Sequence, residues 1–392
     1  MELGIHRLRK GLSRISVAET QRSAVGTGLV DLPRGRQFMT GNEVIAWAAI
    51  AAGADIMYGY PITPQNEIMH YWTRLAPRFG RGFLQTEDEM SAGFATIGGV
   101  LAGKRAFTAT AGPGNVLMQD PLAMAEMMRL PVVVIVCQRG GPSTATVIYS
   151  QQEVNLTCFG GNGEGLRIVY SPSSHHELYT YVLKAFNTAW AYHFPTFVLG
   201  DGYQSKMREP VELFDPADRN LEPVATVPYL GGPGVPGVDR EPVLLRNTYN
   251  LEEELFAVLS QHQADYQRMA EEVAEYEQLG AEEAEVIVIA HGVVARAARA
   301  AVEELRAWGV PVGLFRPITL RPFPTQALRL AVAQDGTSKV KRLLVCESAQ
   351  GQLERLVKEA LYGLASPPEM ASYLRPGLAI TPEEIMDQLK LT

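Results

Sequence analysis

The chain is poor in three things, each of which would have named a class of protein. It has only three cysteines, Cys137, Cys158 and Cys346, too far apart for a metal or iron–sulfur pattern and odd in number for a disulfide framework. That scarcity predicts a chain with no metal or cluster of its own, and Cys137 and Cys346, each closing an apolar run, read as buried strand thiols. Long apolar runs are lacking too. Pro131 to Cys137 and Val286 to Ala290 fall far below bilayer length, which argues against a membrane-spanning helix. Positive charge is not in excess: 35 Lys and Arg against 43 Asp and Glu leave a net charge of -8, so nothing electrostatic points at nucleic acid. Arg7, Arg9, Lys10 and Arg14 are followed by no apolar h-region, so the expectation is no secretory signal and a cytoplasmic location.

What is present fills more than one core. With 392 residues, 46% of them hydrophobic, and roughly 150 residues per domain as a guide, at least two domains are expected. Residues 1–36, basic and punctuated by Gly and Ser, read as an N-terminal arm. Residues 37–225 alternate helix and strand patterns: a helix over Glu43 to Ala52, a strand from Ile56 to Gly59, and a small-residue helix over Glu89 to Ala102. Further on come a strand over Arg105 to Thr110, a helix over Leu117 to Met128, a bare apolar run at Val132 to Gln138 and a helix over Glu177 to Tyr192. Strands without polar residues, separated by helices, predict a parallel sheet buried on both faces. The Gly-Pro-rich stretch Gly231 to Val238 marks a boundary, and Leu251 to Leu279 reads as one long charged connector helix, so 226–282 is assigned as linker and connector. Residues 283–392 form a second, smaller α/β unit whose pattern includes a turn from Pro317 to Pro324.

Several local patterns bear on chemistry. In Tyr60-Pro61-Ile62-Thr63-Pro64, two prolines fix the backbone around Ile62-Thr63 and so constrain the direction of the Thr63 hydroxyl. Gly112-Pro113-Gly114 follows a strand and precedes a helix, so its amides could face an anion or a ring, although a plain tight turn explains it equally well. Leu117 stands where a dinucleotide fingerprint needs its third glycine, and Gly103-Lys104-Arg105 is no P-loop. Gly200-Asp201-Gly202 opens like a metal–diphosphate motif but lacks the later Asn pair, and reads as a strand end. His175 and His176, inside a Ser174 to Glu177 capping box, read as solvated first-turn residues. Glu87, Asp88 and Glu89 open an almost wholly apolar helix. Two of them suit the helix dipole, and Glu89, directly before Met90-Ser91-Ala92-Gly93, is the one expected to turn inward and gain proton affinity. Arg139, before Gly140-Gly141-Pro142, reads either as an anion ligand or as a strand-end ion pair.

Taken together, Gly41-Asn42-Glu43, Tyr60 to Pro64, Glu87 to Glu89, Gly112 to Gly114, Arg139 to Thr144, Pro322-Phe323-Pro324 and Glu347 to Leu353 resemble the α subunit, or α region, of the 2-oxoacid:ferredoxin oxidoreductases over about 300 residues. The chain departs from that pattern at Gln119-Asp120, Ala145-Thr146 and Gly200. The resemblance implies an α/β, thiamine-diphosphate-binding-like, doubly wound parallel sheet carrying the pyrimidine side of the site, followed by a smaller transketolase C-terminal-like domain. It implies that Glu89 shares a proton with the pyrimidine ring, that Pro61 and Thr63 line the cofactor, and that Thr63 and Arg139 hold the substrate carboxylate. It further implies thiamine diphosphate shared with a β subunit that carries Mg2+ and a [4Fe-4S] cluster, with ferredoxin and coenzyme A as further partners, in an assembly of two α and two β chains. Among 2-oxoacids, 2-oxoglutarate is the first expectation and pyruvate the second, with a non-catalytic scaffold as the rival role.

Overall fold

The structure is a computed structural model that describes residues 31–232, 243–334, 337–338 and 340–390; the predicted arm is outside it up to residue 30, as is most of the Gly-Pro boundary segment. After β1 (Arg36–Thr40), the first unit runs α1 (Gly41–Ala51), β2 (Ile56–Gly59), α2 (Asn66–Leu75), β3 (Gly82–Gln85), α3 (Glu89–Leu101) and β4 (Ala106–Thr110). It continues with α4 (Pro113–Leu117), α5 (Gln119–Met127), β5 (Val133–Gln138), α6 (Val154–Phe159), β6 (Ile168–Tyr170), α7 (His175–Tyr192), β7 (Thr196–Asp201), α8 (Gly202–Lys206) and β8 (Arg208–Glu212). The remainder comprises α9 (Glu252–Val273), β9 (Tyr276–Leu279), β10 (Val286–Ile289), α10 (Val294–Ala307), β11 (Val312–Pro317), β12 (Thr319–Arg321) and α11 (Thr325–Val332). A short β13 (Ala333–Gln334) and β14 (Thr337–Ser338) precede β15 (Arg342–Glu347), α12 (Gln352–Leu361), β16 (Glu369–Leu374) and α13 (Pro382–Lys390).

The main sheet has the order β12-β6-β7-β5-β4-β2-β3, parallel except for β12. Its central strand β5 is buried at every position, as its bare apolar sequence predicts. Alternation divides the side chains between two faces: Val133, Ile135 and Cys137 pack with helices α1, α2 and α7, whereas Val134 and Val136 pack with α3 and α5. Burying each such side chain contributes on the order of 2 kcal/mol. The second face is continuous with apolar residues of the C-terminal unit, including Ile287, Phe315, Val345 and Leu353. That unit has its own sheet, β16-β15-β10-β11-β9, in which only β9 is antiparallel. Cys137 and Cys346 are buried strand thiols, as read from the sequence.

Three readings need correction. The expected helix from Leu251 to Leu279 ends at Val273, because the chain is captured at Glu275. The Glu275 amide donates to Thr319 Oγ1 (2.9 Å), its carbonyl accepts from the Ile318 and Thr319 amides, and its carboxylate accepts from Lys184 and Tyr181. These bonds extend the chain into β9. The Pro317 to Pro324 turn contains β12, which pairs antiparallel with β6 and so closes one edge of the other unit's sheet. His175 is fully buried rather than solvated: its Nε2 lies 2.9 Å from the Met207 carbonyl and its Nδ1 3.2 Å from Glu209. The Ser174 cap is present, its hydroxyl accepting from the Glu177 amide (3.3 Å), but the Glu177 carboxylate turns to the Ser173 amide and Arg316.

Candidate active site

In a parallel sheet every strand delivers its following loop to the same edge, and here four neighbours, β5, β4, β2 and β3, each deliver one piece of a site. From β2 comes Tyr60 to Pro64, from β3 the start of α3 with Glu89, from β4 the Gly112 loop, and from β5 Arg139. The first loop is braced: Gln65 Nε2 donates to the Tyr60 carbonyl (2.8 Å) and Asn42 Nδ2 to the Pro64 carbonyl (2.9 Å), with Thr63-Pro64 in the cis form. Pro61 is exposed at its tip and Thr63 is half-buried.

The three acids before α3 separate as their positions dictate. Glu87 is exposed. Asp88 is the N-cap, accepting from the Ser91 amide at 2.7 Å, which holds its carboxyl below the usual range. Glu89 is buried, 4% exposed, and burial raises its proton affinity, with the Asp88 charge adding to the effect and Arg139 opposing it. No other described residue donates a hydrogen bond to its carboxylate, which leaves that group available. It faces Gly114, where a Cβ would come within 2.5 Å of Glu89 Oε1, so only glycine fits there. The neighbouring Thr110 hydroxyl is buried without a partner.

Arg139 is joined to the Pro-Ile-Thr-Pro turn by a 2.9 Å bond from Nη1 to the Thr63 carbonyl. Its Nε is buried and unpartnered, and lies where a Cβ on Gly112 would approach to 2.5 Å. Gly112 also has φ of 51°, so it meets two demands that exclude side chains. Among the described residues no carboxylate reaches ion-pairing distance of this guanidinium, although Glu153 and Glu89 oppose the lowering of its pKa by burial. The strand-end ion pair is therefore not formed, and donors remain for an anion. Sequence reasoning missed Glu153. It is as buried as Glu89, and its carboxylate accepts from the Gly112 amide (2.8 Å), Asn115 Nδ2 (3.1 Å) and the Arg139 amide (2.9 Å). Its only sequence signal was the one used for Glu89, an acid directly before an apolar helix.

The structure thus brings Thr63, Glu89 and Arg139 to one edge, with Pro61 at the rim. Gly112 and Gly114 let the Arg139, Thr110 and Glu89 side chains pack directly against the loop, and they leave the Glu89 carboxylate buried with no donor from another described residue. A buried carboxyl of raised proton affinity that lacks other donors has the chemistry to share a proton with a ring nitrogen such as that of a pyrimidine. Asp201 ends β7 and caps α8, accepting from the Gln204 amide (3.0 Å), so it serves as a strand end. Among the described residues no cluster of His, Cys, Asp and Glu could hold a metal ion, and no helix is long and apolar enough to cross a membrane.

The fold is that of a thiamine-diphosphate-binding α/β protein. Residues 47–278 match the model of the pyruvate flavodoxin/ferredoxin oxidoreductase thiamine diphosphate-binding domain, and residues 284–385 match core domain II of pyruvate:ferredoxin oxidoreductase. The chain belongs to this oxidoreductase family. It is 33% identical to the ketoisovalerate oxidoreductase subunit VorB of Methanothermobacter thermautotrophicus, over 83% of this chain and 89% of that subunit. It is also 33% identical to the 2-oxoglutarate synthase subunit KorA of Methanocaldococcus jannaschii, over 83% of this chain and 92% of that one. Among solved structures it is similar to the 2-oxoglutarate:ferredoxin oxidoreductase of Magnetococcus marinus, with a TM-score of 0.78, 27% identity and coverage of 91% of this chain. The match spans 65% of that solved chain. A split-gene transketolase, 14% identical with a TM-score of 0.52, shares the fold alone.

Proposed function

We propose that this chain is the α subunit of a thiamine-diphosphate-dependent 2-oxoacid:ferredoxin oxidoreductase, converting a 2-oxoacid and coenzyme A to acyl-CoA and carbon dioxide with reduction of ferredoxin. The observation that carries this reading is the Glu89 carboxylate, buried beside Gly114 with no other donor, on the same sheet edge as Arg139. When bound, thiamine diphosphate supplies the carbon nucleophile and the electron sink for decarboxylation. Glu89 is the group on this chain that shares a proton with the pyrimidine nitrogen, and its raised proton affinity suits that exchange. Arg139 holds the substrate carboxylate through its free donors, while Thr63 both fixes Arg139 through its carbonyl and offers its hydroxyl to the same end.

A β subunit supplies the diphosphate side with its Mg2+ and a [4Fe-4S] cluster, two α and two β chains assemble, and the enzyme is cytoplasmic. Exposed Met90, Phe94, Val116 and Leu117, on the two helices that flank Glu89 and Gly114, support a partner surface at this edge. The favoured substrate is 2-oxoglutarate, in line with the KorA relatives. The VorB relative favours a branched-chain 2-oxoacid as a second reading, one that the sequence did not suggest, ahead of pyruvate. The test is to purify the chain alone and with its co-encoded neighbour and to measure thiamine diphosphate binding and oxoacid-dependent viologen reduction over a panel of oxoacids. Binding and turnover in the pair support the proposal. Tight binding of the whole cofactor by this chain alone, or a pair that reduces viologen with no oxoacid, overturns it.

A further inference from the structure

The segment Ser150 to Asn155 lies between the site and the C-terminal unit, and it is bonded to both. On the site side, the Glu153 carboxylate gathers the Gly112 and Arg139 amides and Asn115 Nδ2 onto one group. Gln152 Oε1 accepts from the Gly141 amide (3.3 Å). On the other side, the Ser348 carbonyl accepts from the Gln151 amide and the Ser150 hydroxyl, both at 2.9 Å, and the Ser348 amide donates to Gln151 Oε1 (3.0 Å). Gln352 brackets the segment, its Nε2 donating to the Gln152 carbonyl (2.8 Å) and its Oε1 accepting from the Asn155 amide (2.9 Å). Gln151 Nε2 adds a bond to the His291 carbonyl (2.9 Å).

This arrangement does more than bury polar groups. Every donor on the Glu153 carboxylate belongs to one of the loops presenting the site or to the short helix after it, and none to the sheet beneath. The bonds from Ser348 and Gln352 end on the segment that carries Glu153. We infer that Glu153 is a positioning residue for oxoacid binding, and that the C-terminal unit sets its place through Gln352 and Ser348. The inference rests on the reading of Arg139 as the carboxylate ligand. Moving the 150–155 segment shifts the Arg139 and Gly112 amides together, and so changes how the guanidinium meets an anion.

The chemistry of the carboxylate makes this testable. Glutamine offers one acceptor oxygen, and its NH2 would face the N–H of Gly112 or Arg139, so Glu153→Gln separates loops that glutamate joins. In the enzyme assembled with its partner subunit, Glu153→Gln should raise KM by about tenfold, and Gln352→Ala by about threefold, for 2-oxoglutarate or for the branched-chain oxoacid if that turns over faster, with kcat held within about twofold. Amide hydrogen exchange in peptides containing Gly112 and Arg139 should quicken in both variants. The double variant should raise KM by less than the product of the single effects, because both cut the same connection. Should Glu153→Gln fail to assemble, Gln352→Ala alone decides. Unchanged KM and exchange in Gln352→Ala, or fully multiplicative effects, would overturn the inference. Arg139→Lys, run alongside, separates the two readings. Unchanged KM there refutes the substrate role of Arg139, while a raised KM there with unchanged clamp variants refutes only the positioning role.

Discussion

The two α/β units each bury a glutamate near the C-terminal edge of a parallel sheet, beside the start of a helix, and they use it in opposite ways. In the C-terminal unit, Glu347 ends β15 and is fully buried, yet its carboxylate accepts from the Gln352 (3.0 Å), Leu353 (2.9 Å) and Glu354 (3.1 Å) amides that open α12. In the first unit, Glu89 is almost as deeply buried, but no other described residue donates to it. Burial raises the proton affinity of both. Enclosure therefore does not tell a structural acid from a chemical one; the number of donors already satisfied does.

The largest effect expected from this difference is at Glu89. Replacing Glu89 by Gln should lower turnover of the assembled enzyme by on the order of a hundredfold or more, with thiamine diphosphate binding and assembly retained. Steady-state viologen reduction measures the first and size-exclusion chromatography the second; near-normal turnover would remove Glu89 from the chemistry and erase the contrast with Glu347. Next comes Arg139→Lys. An ammonium keeps the charge but loses the planar fork and the bond from Nη1 to the Thr63 carbonyl, so the KM for the oxoacid should rise by about tenfold with kcat falling much less.

Glu347 should respond in stability instead. Glu347→Gln keeps one acceptor oxygen and loses its bond to at least one of the three helix amides, at a cost of about 1 kcal/mol. Thermal melting should show that loss while kcat changes by less than about threefold. A collapse of kcat with unaltered melting would show that the two glutamates are not divided as argued.

How far the sequence revealed these roles depended on whether the partners were near in the chain. Glu89 was legible because an acid stands directly before Met90-Ser91-Ala92-Gly93, so the burial signal is local. Arg139 and Thr63 were legible from rigid turns, but their contact spans 76 residues and only the fold discloses it. Glu153 carried the same local signal as Glu89, an acid directly before a helix, but its role did not show, because two of its partners are backbone amides, 41 and 14 residues away, and amides leave no mark in a sequence. His175 was misread because its partners are distant in the chain: the Met207 carbonyl and the Glu209 carboxylate lie 32 and 34 residues further on, beyond β7. The parallel sheet followed from bare apolar strands, whereas β9 and β12 did not, since they exist through pairing and through the capture of Glu275 rather than through any pattern of their own.

Asp201 extends the comparison to a third buried acid and carries the smallest expected effect. It is wholly enclosed, and burial pushes its carboxyl up to about 6, although the amides of Gln204, Tyr203 and Val293 and the charge of Arg296 pull the other way. Because the folded value lies above the ordinary 3.8, the native state binds a proton more tightly than the unfolded chain. Its contribution to stability is therefore fully present below about pH 3.8 and is lost as pH rises through about 6. Asparagine still caps a helix but cannot titrate, so Asp201→Asn removes this dependence while keeping the acceptor for the Gln204 amide. Melting temperatures of variant and wild type, compared at each pH from 4 to 7, should differ progressively in favour of the variant as pH increases, by a few degrees at most. A difference that stays constant across that range would mean that the Asp201 carboxylate is satisfied in its charged form, the three amides outweighing burial.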